Sequence, residues 1–143
     1  MELLPLSVMP FVLIYFLLGY LFFASLYAAV GALSTNLRES QQISGAITFP
    51  AVMPVMFFFY VMDNPNSTLI NVLSHIPFFT PTLMMMRIAT TDVPLLNILT
   101  TIAVLALSTY LMARCAAKIF RMGLLMTGKR PTMYEVVRWL RYE

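Results

Sequence analysis

Three long runs without a single charged residue constrain this chain more than anything else in it: Leu3 to Asn36, Ser40 to Met62 and Val93 to Ala113. Each can supply the roughly 20 apolar residues that a helix needs to cross the hydrocarbon core of a bilayer. With 60% hydrophobic and 10% charged residues over 143 positions, the polar side chains are too few to coat a water-soluble globule. The expectation is an all-α, polytopic membrane protein forming one transmembrane domain over residues 1–143. Its spans are expected at about 11–33, 43–61 and 93–117. A cleaved signal peptide describes the N-terminus poorly, because Glu2 stands where a basic region belongs and the apolar run is too long.

Charge sets the orientation. Of nine basic residues, Arg114, Lys118, Arg121, Lys129, Arg130, Arg138 and Arg141 all follow the last span. The positive-inside rule then makes the C-terminus cytoplasmic. Counting back across three spans puts the stretch Ser34 to Ser44 inside, Asp63 to Asp92 outside and the N-terminus outside. The protein is expected in the plasma or inner membrane as a multi-pass protein.

The spans carry their own marks. The first has Ala24, Ala28 and Ala32 at a spacing of four, and the third has Thr109, Ala113 and Ala117. Small residues on one helical stripe let another helix approach closely. The second contains Pro50 and Pro54, which remove two helical hydrogen bonds and predict a kink, a candidate hinge. The stretch "STNLRESQQIS" between the first two spans reads as a short polar turn, either a plain connector or a contact for a partner through Arg38 and Glu39.

Between the second and third runs lies a segment at 64–90 that is too apolar for a watery loop and too broken for a span. Asn64 before Pro65 and Thr80 before Pro81 read as helix caps, giving two short helices at about Pro65 to Ser74 and Pro81 to Ala89. Their apolar residues, from Leu69, Ile70, Val72 and Leu73 to Leu83, Met84 and Ile88, need burial. A re-entrant hairpin dipping into the outer half of the bilayer, its backbone covered by neighbouring helices, meets that need. Within it, Pro77, Pro81 and Arg87 are candidate gate residues; Arg87 reads first as snorkelling to the interface and second as a guide for anions. His75 reads as a helix-end hydrogen-bond partner. The tail at 118–143 ends in "TMYEVVRWLRYE", where Thr132 and Glu135 form a capping box and Met133, Val136, Val137 and Leu140 share one face. An amphipathic helix on the inner membrane surface is expected.

Enzyme chemistry finds little to work with. "GLLMTGKR", Gly123 to Arg130, begins like a phosphate-binding loop but puts Arg130 where the magnesium-binding hydroxyl belongs, and no strand precedes it. One histidine and one cysteine, Cys115, on opposite sides of the membrane cannot form a catalytic pair or a conventional zinc site. No acidic residue lies within the expected spans, so a stand-alone ion pump lacks its usual relay.

Four blocks in order carry a resemblance: "GYLFFASLYAAVGALSTNLRESQQI" from Gly19, "FPAVMPVMFF" from Phe49, "LSHIPFFTPTLMMMRIA" from Leu73 and "RCAAKIFRMGLLMTGKRPTM" from Arg114. With them the chain resembles the permease subunits of type-2 ABC exporters, in particular the NatB-like sodium-efflux subgroup. The resemblance implies that these helices are the fourth, fifth and sixth of six spans, the last two joined by short external helices. The chain would then be the C-terminal half of a permease, lining the path of an ATP-driven exporter without an ATPase site or cofactor of its own. Implied partners are a separate ATP-binding subunit, a second permease copy or the N-terminal half, and lipid, but no nucleic acid. Arg38, Glu39, Lys129 and Arg130 would face the ATP-binding subunit, and Pro50, Pro54, Pro77, Pro81 and Arg87 would form gate or hinge. The competing expectation is a small structural or regulatory membrane protein that packs on a larger complex through its alanine stripes.

Overall fold

The computed structural model describes residues 8–125, together with Tyr134 and Arg138. Apart from Tyr134 and Arg138, the expected C-terminal amphipathic helix lies outside the described residues, as do Lys129, Arg130 and most of the false phosphate loop. Six helices follow in order: α1 (Met9–Leu33), α2 (Leu37–Met56), α3 (Phe58–Asp63), α4 (Thr68–Leu73), α5 (Thr80–Thr90) and α6 (Leu95–Leu125). The described residues contain no strand.

Two helices are long and apolar enough to cross a membrane, α1 and the Leu95–Met122 part of α6. They pack on each other more extensively than any other pair. Buried or half-buried positions recur at a heptad spacing: Tyr15, Phe22 and Ala29 on α1, Tyr15 and Ala29 facing α6, and Ile98, Leu105, Met112 and Ile119 on α6, with Thr101, Thr109 and Ala116 interleaved. Repeats of seven keep one face of each helix on its neighbour. Pairing along the seam fixes direction. Tyr15 lies against Ile98 and Leu105, the Thr109 hydroxyl donates to the Leu18 carbonyl at 3.3 Å, and Ala29 lies against Ala116 and Ile119. Residue numbers rise together, so α1 and α6 run parallel.

The alanine stripes meet this seam only at Ala32 and Thr109. Ala24, Ala28, Ala113 and Ala117 are exposed, Thr109 is buried, and the half-buried Ala32 packs against Ala29, Ala116 and Ile119. A spacing of four drifts around a helix of 3.6 residues per turn, whereas the heptad set stays on one side.

The turn after α1 is shorter than expected. Ser34 leaves the helix in extended geometry and Asn36 already caps α2, its Oδ1 accepting from the Glu39 amide at 2.9 Å. Glu39 reaches back, its Oε2 accepting from the Thr35 amide at 3.2 Å and the Thr35 hydroxyl at 2.8 Å. This reciprocal cap turns most of the supposed loop into the first turns of α2. Farther along, α2 stays helical through Pro50 and Pro54, and the interruption expected at the prolines falls at Phe57. There the amide reaches back only three residues, to the Pro54 carbonyl at 3.1 Å, before α3 begins. The second expected span is therefore two helices rather than one.

The segment at 64–90 folds as two short helices, with different caps from those expected. The Ser67 amide donates to the Asn64 carbonyl at 3.2 Å, closing a tight turn in which Pro65 occupies the position proline favours. Ser67, not Asn64, then caps α4 by accepting from the Ile70 amide at 3.3 Å. Thr80 is the first residue of α5 rather than its cap, with Pro81 in the first turn. Its buried hydroxyl sits 2.8 Å from the carbonyls of both Ser74 and Ile76, closing the bend between the two helices. Ile70, Leu83, Met84 and Ile88 are buried as expected, but Leu69 and Val72 face outward. The hairpin covers the starting halves of α1 and α6, where Met84 and Ile88 join Tyr15, Ile98 and Leu105 in one core.

Candidate functional site

The polar chemistry of the described chain concentrates in this hairpin and the helix ends beneath it. Arg87, near the end of α5, is 1% exposed, which overturns the expectation that it snorkels to the interface. Snorkelling needs a free stem, and α4 lies across the path of this one. Its Nη1 donates to Ser74 Oγ at 3.3 Å and Asn71 Oδ1 at 3.4 Å and lies 3.8 Å from Met84 Sδ. Its Nη2 reaches Asn66 Oδ1 at 3.5 Å, and its buried Nε has no partner. All of these acceptors are neutral and distant for bonds to a cation. The negative end of the α5 dipole, where the Arg87 carbonyl accepts from the Thr91 amide at 2.9 Å, offsets part of the charge. A guanidinium stays protonated even here, so α5 carries a fixed positive charge among neutral polar side chains.

His75 closes α4 as expected, its Nδ1 lying 2.8 Å from the Asn71 carbonyl, and its Nε2 approaches the Thr100 hydroxyl of α6 at 3.4 Å. Deeper in, Tyr15 is fully buried, with its hydroxyl 2.6 Å from Thr101 Oγ1 and 3.1 Å from the Ile98 carbonyl. Since Thr101 has the Asn97 carbonyl as an acceptor at 2.7 Å, a consistent chain runs from tyrosine hydroxyl to threonine hydroxyl to backbone.

The hairpin meets α1 at one unusually close point. A side-chain carbon on Gly19 would lie 2.8 Å from both Cβ and Cγ of Pro81, so only glycine permits this approach. Around it Phe22, Phe23 and Phe78 stack edge to face with ring centres 5.5 to 5.9 Å apart. An open cleft of about 570 Å³ follows α1 beside this contact, walled by Tyr15, Phe16, Tyr20, Phe23 and Tyr27 and by Pro81 and Met85 of α5.

The residues singled out from sequence fall into two groups. Pro54, Pro77, Pro81 and Arg87 come together around the hairpin: Pro54 is buried and, with Phe57, Leu73, Phe79 and Leu83, lines a small apolar cavity of about 70 Å³. Pro50 lies half-buried one turn earlier in α2, apart from them. Arg38 and Glu39 sit at the opposite end, Arg38 exposed and Glu39 half-buried in its cap. Sequence reasoning missed Gly19, Tyr15 and the Asn66, Asn71 and Ser74 set around Arg87. Gly19 had a readable signal, as the glycine in the first half of an otherwise bulky span; the others act through pairings between distant segments. Among the described residues no cluster of histidine, cysteine or carboxylate side chains could hold a metal ion.

Residues 2–116 match the model of the family described as ABC-2 family transporter protein. The chain is 31% identical over 128 residues to the uncharacterized protein MJ1024 of Methanocaldococcus jannaschii, covering 90% of this chain and 32% of that one. It is 30% identical over 131 residues to the uncharacterized protein YhaP of Bacillus subtilis, covering 92% of this chain and 31% of that one. It thus spans about a third of the length of the curated relatives it matches. No solved structure matches it. With apolar helices suited to a membrane and a family match over most of its length, the chain belongs to the ABC-2 family of transporter proteins.

Proposed function

We propose that the chain is the C-terminal, membrane-spanning half of an ATP-driven ABC exporter permease, worked by a separate ATP-binding subunit. The observation that supports this most is the parallel run of α1 and α6. Both start at the same end, so the chain between Leu33 and Leu95 must return across the full thickness of the bundle. Only α2 with α3 is long enough: residues 37–63 at 1.5 Å rise reach about 40 Å, against about 30 Å of hydrocarbon. The Tyr27 hydroxyl, 2.7 Å from Thr48 Oγ1, ties α2 to the finishing half of α1, and α3 packs against α5 at the starting end. In this reading α2 and α3 form the third span, broken at Phe57, and α4 and α5 form an external re-entrant hairpin.

Charge agrees with that topology. Arg38, Arg114, Lys118 and Arg121 fall at the end where α1 finishes, which the positive-inside rule makes cytoplasmic, while Asp63 and Asp92 fall at the other. The exposed Arg38 and the capped start of α2 form the surface offered to the ATP-binding subunit. The hairpin closes the outer end of the path, and the Gly19 and Pro81 contact is where it moves against α1 when the path opens. Sodium, a peptide, a drug and a lipid all stay open as cargo, with the resemblance to the NatB-like subgroup favouring cations only weakly.

Sidedness tests the reading. In a Cys115→Ser background, a membrane-impermeant maleimide added to intact cells is expected to label Thr68→Cys at once and Gln42→Cys only after permeabilisation. A photocrosslinker at Arg38 is expected to capture an ATP-binding subunit from native membranes. Labelling of both cysteines from the same side would show that α2 and α3 do not cross.

A further inference from the structure

The Arg87 guanidinium is held asymmetrically. Nη1 makes the contacts that join α5 to α4, to Ser74 and Asn71 at 3.3 and 3.4 Å with Met84 beside it. Nε and Nη2 form the other edge, where two N–H groups point the same way. On that edge Nε is buried without a hydrogen-bond partner, and Nη2 has only the Asn66 contact at 3.5 Å. Two parallel donors of this kind match two oxygens of one oxyanion, which is the recognition that distinguishes arginine from lysine. No carboxylate among the described residues pairs with Arg87. A buried polar donor left without a partner is unfavourable, more so when charged, and calls for an occupant.

We propose that the Nε and Nη2 edge of Arg87, with Asn66 at its rim, seats a phosphate oxyanion. Asn66 is exposed and holds Nη2 only at the limit of a hydrogen bond, so its side chain is the one that turns aside to admit the ligand. Once displaced, its amide can donate to a third oxygen, which a phosphate has and a carboxylate lacks. The lipid-facing surface around the hairpin makes a phospholipid headgroup the nearest source, and free phosphate is the other. Only the headgroup source rests on the membrane placement proposed above; the oxyanion chemistry rests on the geometry of Arg87.

The test is thermal unfolding of the full chain in a neutral detergent, titrated separately with phosphatidylglycerol, with diacylglycerol of the same chains and with inorganic phosphate. Phosphatidylglycerol is expected to raise the midpoint while diacylglycerol does not. Arg87→Lys, which keeps the charge and loses the fork, is expected to need about tenfold more lipid for the same protection. Asn66→Asp, at an exposed position that leaves folding intact, places a carboxylate on Nη2 and is expected to abolish protection. Protection by inorganic phosphate at matched concentration keeps the seat and removes the headgroup as its source. Equal protection by diacylglycerol, or undiminished protection in Asn66→Asp, would overturn the proposal.

Discussion

The two halves of the seam between α1 and α6 are built differently. At the finishing end Ala29, Ala116 and Ile119 close on each other with Met112 and Leu33 at the edge, apolar throughout. At the starting end the same two helices enclose Tyr15 and Thr101, bonded at 2.6 Å, and are completed by Met84 and Ile88 from the hairpin. The first half is self-sufficient and the second needs a third element. In a bilayer, lipid solvates apolar side chains as well as protein does, so close packing and hydrogen bonds must supply the association. The polar half therefore fixes the hairpin in one register, and the fixed charge of Arg87 lies in that half.

Breaking the polar half should cost most at Gly19. Gly19→Ala drives a methyl group into the Pro81 ring, which cannot swing away, and is expected to destabilise by about 2–3 kcal/mol while loosening the hairpin. The check is the unfolding midpoint, together with faster labelling of a cysteine at Thr82, which lines the cleft. Thr80→Val should cost less, about 1–2 kcal/mol, because it takes the hydroxyl donor from the Ser74 carbonyl in a buried bend, while the Ile76 carbonyl keeps the Phe79 and Thr80 amides. Its loss should appear in hydrogen exchange of residues 74–83 before it appears in α1. Ala28→Leu, on the exposed stripe, should change the stability of this chain by less than about 0.5 kcal/mol. A loss of several times that would place the stripe inside the fold and restore the reading that the structure sets aside.

Much of this architecture is legible in the sequence, for identifiable reasons. Runs without charge mark α1 and α6 because a missing charge is a local property, and Pro81 marks the start of α5 because a missing amide is too. The caps were harder. Asn36 and Glu39 carry a cap signal at a spacing of three, but inside "STNLRESQQIS" it is indistinguishable by composition from a polar turn. Asn64 and Ser67 both suit a helix start, and the choice falls to Ser67 because Pro65 is taken up by the preceding turn. The seam is hidden in the sequence because alanine spacing competes with a heptad set of mixed size, Tyr15, Phe22 and Ala29, that no single residue type advertises. The burial of Arg87 is not legible locally because it depends on Asn66, Asn71 and Ser74, which lie 13 to 21 residues away.

The proposed crossing of α2 and α3 follows from the direction of α6 relative to α1. Oxidative crosslinking in a Cys115→Ser background measures it directly. Ala29→Cys with Ala116→Cys is expected to form a disulfide readily in native membranes, and Ala29→Cys with Ile98→Cys is expected to form none. Efficient crosslinking of Ala29→Cys to Ile98→Cys, with none to Ala116→Cys, would mean that the helices run antiparallel and would contradict the account.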